Sequence, residues 1–141
     1  KEQSAFKLSY YYDQRHAPAL DELVATLRDL EITAHMTTSF GQYLDIIPSR
    51  ASKGQALRYV SQRFDIPLHQ ILAVGGSGSD EDMMRGNTLA AVVANRHHEE
   101  LSQLIDLERI YFASKPYAMG ILEAIDHYDF FGACSVPQET G

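Results

Sequence analysis

The residues best equipped for chemistry lie in one run, Ile71-Leu-Ala-Val-Gly-Gly-Ser-Gly-Ser-Asp-Glu-Asp-Met-Met84, where a short apolar stretch spills into a glycine-rich loop ending in three acidic residues. At the end of a buried strand, such a loop can hold a divalent cation or a phosphate. Upstream, Lys53 stands in Pro48-Ser-Arg-Ala-Ser-Lys-Gly-Gln-Ala-Leu57, at the predicted start of a helix. A lysine converging on a glycine-rich loop is suited to a phosphate. Two better-known loops are excluded. Gly76-Ser-Gly78 begins like a dinucleotide fingerprint, but Glu81 occupies the third glycine position and would meet the pyrophosphate with a carboxylate. A nucleotide P-loop needs Gly-Lys-Ser/Thr, and no lysine lies between Lys53 and Lys115.

Two kinds of element must position these groups. Residues 6–13 alternate and are rich in aromatics, as a half-buried strand requires. Pro18 then opens a helix whose Leu20, Leu23, Val24, Leu27 and Leu30 form one apolar stripe. Segments 32–38 and 43–47 read as strands turning at Phe40-Gly41-Gln42. After Pro48, helices alternate with short apolar strands, which predicts a parallel sheet covered on both faces. Ser52-Lys-Gly-Gln55 has the form of a capping box, with Ala56, Leu57, Val60 and Phe64 as the predicted buried face. Strands are expected at 71–74, 89–94 and 109–113, a short helix at 99–104, and a helix at 117–128 with Ala118, Ile121, Leu122 and Ile125 turned inward.

Composition narrows the function classes. At 141 residues and 45% hydrophobic, the chain can form one domain, or a small lobe on part of a larger one. A formal net charge of −7 without a basic cluster argues against nucleic acid. No apolar run approaches the ~20 residues of a membrane span, and no signal-peptide core follows the charged start. The single cysteine, Cys134, cannot form an internal disulfide framework, so a reducing cytoplasm is the expected setting.

The Lys53 segment and the Gly75–Asp80 loop, separated by about one helix and one strand, resemble motifs III and IV of the haloacid dehalogenase superfamily of phosphatases. With Asp45-Ile-Ile-Pro48 and the run from Ala118 to Phe130, the sequence from about residue 5 to 131 is similar to the C-terminal half of sucrose-phosphate phosphatases. The same domain is fused behind the glucosyltransferase of bacterial sucrose-phosphate synthases. Gly-Gly-Ser-Gly followed by Asp-Glu-Asp-Met-Met-Arg-Gly-Asn looks most like that fused form. The resemblance implies an α/β fold: part of a haloacid-dehalogenase-like, Rossmann-type parallel sheet with a small α+β cap portion. Residues 1–48 would be the C-terminal part of the cap and 49–141 the C-terminal half of the core.

In such phosphatases an aspartate attacks phosphorus while magnesium and a lysine neutralise the phosphoryl oxygens. Residue by residue, the resemblance makes Lys53 the phosphate-facing lysine and puts Ser77 and Gly78 at the phosphate. Lys7 and Ser9 fall at cap positions that meet the sugar, and Asp80 organises the surroundings of the metal. The departures matter as much. The nucleophile motif Asp-x-Asp-x-Thr occurs nowhere, the position of the direct magnesium ligand is Gly76, and the neighbouring asparagine position is Ser79. The expectation is therefore a non-catalytic fragment of the phosphatase-like domain of a sucrose-phosphate synthase, without a cofactor although the family uses magnesium, and with a binding, regulatory or scaffold role. Its ligand would be a sugar phosphate of the sucrose 6-phosphate kind. The alternatives are a sucrose-6-phosphate phosphatase lacking its N-terminal half and a structural interaction module. Because the family pairs strand 71–74 with the nucleophile strand, the missing N-terminal half or a second copy is expected to cover that edge.

Each marked group has a plainer reading. Lys53 can be an exposed lysine in a first helical turn, and the Gly75–Asp80 loop a tight turn whose carboxylates suit a helix start. Lys7 and Ser9 can be exposed polar strand residues, and Tyr10, Tyr11 and Tyr12 partly core, although an exposed ring can stack on a sugar. His97-His98-Glu99-Glu100 invites a metal, but adjacent helical residues point about 100° apart and chelate poorly, so a solvated helix start is expected.

Overall fold

The structure, a computed structural model, describes residues 3–97, 101, 104 and 109–135. The first sheet comprises β1 (Leu8–Tyr11), β2 (Ala34–Ser39) and β3 (Tyr43–Pro48), in the antiparallel order β1-β3-β2. Its register aligns Ser9 with Asp45 and Asp45 with Thr37, so these three side chains share a face. Helix α1 (Leu20–Asp29) packs beside β2, with Leu20, Leu23 and Leu27 half-buried and Val24 and Leu30 exposed. The β2–β3 hairpin turns through Phe40, Gly41 and Gln42, with Phe40 and Gly41 both at positive φ (56° and 62°) and the Gln42 amide donating to the Ser39 carbonyl. Strand β1 is shorter than the 6–13 run because the chain leaves the sheet at Asp13, whose carbonyl accepts the His16 and Ala17 amides. Of the three tyrosines only Tyr12 is core, its hydroxyl donating to the Pro18 carbonyl at 2.8 Å; Tyr10 and Tyr11 are exposed.

The second sheet is parallel, in the order β4-β5-β6, from β4 (Leu72–Gly75), β5 (Leu89–Val92) and β6 (Ile110–Phe112). Ala90, Ala91 and Val92 are fully buried, as both faces of a central parallel strand should be. Around them pack Met84, Leu101, Leu104 and Ile110. Helix α2 (Lys53–Phe64) precedes β4; a 3-10 turn (Gly78–Asp80) and α3 (Glu81–Met84) follow it. Helices α4 (Tyr117–His127) and α5 (Phe130–Cys134) close the described chain. Cys134 is a free thiol lying 3.7 Å from the Gln70 carbonyl. No helix among the described residues is long and apolar enough to cross a membrane.

Two expected helix faces do not turn inward. On α2, Val60 and Phe64 are 44% and 66% exposed and Ala56 is exposed, Leu57 alone of the expected face is half-buried, and full burial falls on Gly54 and Ser61. On α4, Ala118, Ile121 and Leu122 are exposed and Ile125 is half-buried, while Gly120 and Ala124 are buried. The helical periodicity was legible, but what an apolar face packs against is a tertiary matter. Among the described residues β4 pairs only with β5, so its other edge has no strand partner there. Of the predicted helix at 99–104 only Leu101 and Leu104 are among the described residues, both buried, and most of the His97–Glu100 group lies outside them.

Candidate functional site

Lys53 is placed by the start of its helix. The Ser52 side chain caps α2 by accepting from the Gln55 amide at 3.3 Å, and the Asp82 carboxylate accepts from the Gly54 amide at 3.0 Å. The first of these is half of the anticipated capping box; the second comes from α3, a helix the sequence did not link to α2. Together they fix the N-terminal turn of α2 beside the loop after β4.

From that turn the Lys53 ammonium pairs with Asp80 Oδ1 and donates to Ser79 Oγ at 3.1 Å. Asp80 is buried, and its Oδ2 collects the amides of Gly76 (3.0 Å) and Ser77 (3.1 Å) and the Ser77 hydroxyl (3.2 Å). Burial pushes the Asp80 carboxyl up; the Lys53 ammonium and the two loop amides outweigh it and hold the group below the ordinary carboxylate range. Ser77 and Ser79 hydroxyls lie 2.9 Å apart. The loop is thus folded around one carboxylate, with Lys53 as its counter-charge.

A cleft of about 780 Å³ opens beside this loop. Gly78, Ser79, Asp82 and Arg85 form its wall on the parallel-sheet side, and His35, Thr37 and Gln14 belong to the wall across it. Strand β2 packs against the Gly78–Asp80 turn, which brings the two sheets together here. The Thr37 hydroxyl is buried without a hydrogen-bond partner among the described residues. Lys7 and Ser9 do not line this cleft. Both engage Asp45, Lys7 Nζ at 2.7 Å and Ser9 Oγ at 2.6 Å, because the β1–β3 register brings a carboxylate alongside them.

The structure therefore joins Lys53, Ser77, Gly78 and Asp80 at one place and sets Lys7 and Ser9 apart, on the antiparallel sheet. Sequence reasoning missed Ser79, His35, Thr37 and Asp45. Alternation offered a signal for the last two, since Thr37, Asp45 and Ser9 belong to one face once the register is known.

The donor set for a magnesium ion is poor. Position 76 carries no side chain, Asp80 Oδ2 already accepts three hydrogen bonds, and Oδ1 faces an ammonium group. Among the described residues no group of three or more His, Cys, Asp or Glu side chains could hold an ion.

Residues 1–129 match the family described as sucrose-6F-phosphate phosphohydrolase. Mannosylfructose-phosphate phosphatase of Agrobacterium fabrum is 29% identical over 127 residues, covering 89% of this chain and 51% of that protein. Probable sucrose-phosphatase 3a of Arabidopsis thaliana is 27% identical over 138 residues, covering 92% and 32%. The chain thus spans about half the length, or less, of these relatives. Among solved structures, the sucrose-phosphatase of Synechocystis sp. PCC6803, in complex with sucrose and phosphate, superposes with a TM-score of 0.83 at 32% identity, over 90% of this chain and 53% of that one. A subclass IIB sugar phosphatase of the haloacid dehalogenase superfamily shares the fold at 14% identity and a TM-score of 0.67. Because the sequence match runs through both sheets, the Lys53 turn and the acidic loop, this chain belongs to the sucrose-6F-phosphate phosphohydrolase family, as a sucrose-phosphatase-like domain of the haloacid dehalogenase superfamily.

Proposed function

We propose that this chain is the sugar-phosphate-binding portion of a sucrose-6-phosphate-phosphatase-type domain. The phosphate would lie at Lys53 and the Ser77–Asp80 loop, and the sugar in the cleft beneath β2. One observation carries this reading: Lys53 from α2 and Ser79 from the loop meet at the edge of a polar cleft whose far wall belongs to the other sheet. The bound sucrose and phosphate of the Synechocystis relative support it. In this reading residues 1–48 are the cap portion, residues 49–141 the core portion, and Lys7 and Ser9 orient a sugar through the row they form with Asp45. A cytoplasmic setting accords with a phosphorylated sugar as ligand.

A finer reading is favoured by Gly76. A domain that has lost the side chain at the direct metal-ligand position suits a non-catalytic role, such as the phosphatase-like region of a sucrose-phosphate synthase that transfers glucose from a nucleotide sugar to fructose 6-phosphate. There it would bind ligand, regulate or act as scaffold.

Thermal-shift titration tests the binding claim. A ligand of the folded state raises the melting temperature by mass action, so sucrose 6-phosphate should raise it more than sucrose or inorganic phosphate alone. No shift with any of the three would leave only an interaction module.

A further inference from the structure

Gly76, Asp80 and Lys53 together bear on how the loop would handle a phosphate, granted the sugar-phosphate reading above. A divalent cation bound by Asp80 would have to displace three hydrogen bonds from Oδ2 or sit against the Lys53 ammonium at Oδ1. Neither is favourable: the first strands buried amides, the second sets two positive charges at contact distance. The position that would offer a fresh carboxylate is glycine. A Cβ there would stand 3.2 Å from Val93 Cγ2 and 3.6 Å from Arg96 Cα. Lys53, by contrast, is about half exposed and uses two of its three N–H bonds, on Asp80 and Ser79.

We propose that this site binds a phosphate ester without a divalent cation: Lys53 supplies the positive charge, the Ser79 hydroxyl a further hydrogen bond, and Asp80 holds the lysine in position. An arriving phosphate oxygen takes the third ammonium N–H and competes with Asp80 for the others. Asp82 acts as a positioning residue, because its bond to the Gly54 amide fixes the turn from which Lys53 extends.

Isothermal titration of the 141-residue chain with sucrose 6-phosphate, once in EDTA and once in excess magnesium, tests this. The two affinities should agree within about twofold, a difference well under 1 kcal/mol. Replacing Lys53 alone would strand a buried carboxylate, so the informative variant is the pair Lys53→Met with Asp80→Asn, which removes both charges. It should fold and lose at least about tenfold in affinity for sucrose 6-phosphate in EDTA. Binding that appears only with magnesium, or a double variant that binds as tightly as the parent, overturns the proposal while leaving sugar-phosphate recognition standing. Absence of binding in both buffers overturns the recognition itself and the proposal with it. Selective broadening of the Ser77–Asp80 amide resonances by manganese, with no phosphate present, would also overturn it.

Discussion

The main chain of Gly54 lies so close to that of Asp82 that a Cβ built on Gly54 would stand 2.6 Å from the Asp82 carbonyl oxygen. This contact seats the start of α2 on α3, so the lysine one position earlier reaches the loop after β4. A backbone oxygen cannot move aside as a flexible side chain can. Gly54→Ala should therefore destabilise the chain by about 1–3 kcal/mol, the range for overpacking a tight contact. Urea unfolding measures it, and a midpoint unchanged from the parent would mean that the two helices are free to separate.

Asp80 is the acceptor around which its loop is folded. Asp80→Ala would leave two amides and an ammonium without their partner, which is expected to cost about 1–3 kcal/mol. Asp80→Asn keeps one acceptor oxygen and should fall between the parent and the alanine variant. Equal stability of all three in chemical denaturation would show that water replaces the carboxylate freely.

The link between β6 and α4 should be sensitive to acid. Glu123 accepts from the amides of Ser114 (2.8 Å) and Lys115 (3.0 Å) and from the Tyr111 hydroxyl (2.7 Å). The Ser114 amide foremost, then the Tyr111 hydroxyl, lowers its carboxyl from the ordinary 4.5 to about 2. A depressed folded-state value means that the link contributes fully above pH 4.5 and is lost as pH falls toward about 2. Hydrogen exchange at the Ser114 and Lys115 amides, corrected for intrinsic rates, should lose protection across that window. Protection that stays flat would show that these amides are held by something other than the carboxylate.

Phosphatase activity is not expected from this chain. It has no Asp-x-Asp-x-Thr nucleophile motif, and Gly76 offers no metal ligand. Release of phosphate from sucrose 6-phosphate in magnesium, above a heat-killed control, would require a nucleophile that the loop geometry does not reveal.

The open edge of β4 should seek a partner. The strand amides and carbonyls along that edge have no strand partner among the described residues, and such an edge is one that another chain can extend. Size-exclusion with light scattering should give a mass above that of a monomer, or association with an added N-terminal half-domain. A monodisperse monomer indifferent to such a partner would refute this.

Alternation and helical spacing were enough to locate the antiparallel unit, the alternation of helix and strand after Pro48, and the strand–loop–lysine arrangement, because these depend on neighbours in sequence. The resemblance to the phosphatase motifs pointed to Lys53, Ser77 and Gly78 for a phosphate and to Asp80 for the surroundings of a metal. Sequence could not disclose that Asp80 is already paired with Lys53, that Asp82 caps α2, or that Lys7 and Ser9 turn to Asp45. Those contacts join residues 26 to 38 positions apart, and only the packing of two helices and the register of a sheet bring them within bonding distance. For the same reason the apolar faces of α2 and α4 were legible as faces while their exposure was not: periodicity records which side of a helix is apolar, and tertiary structure decides whether anything lies against it.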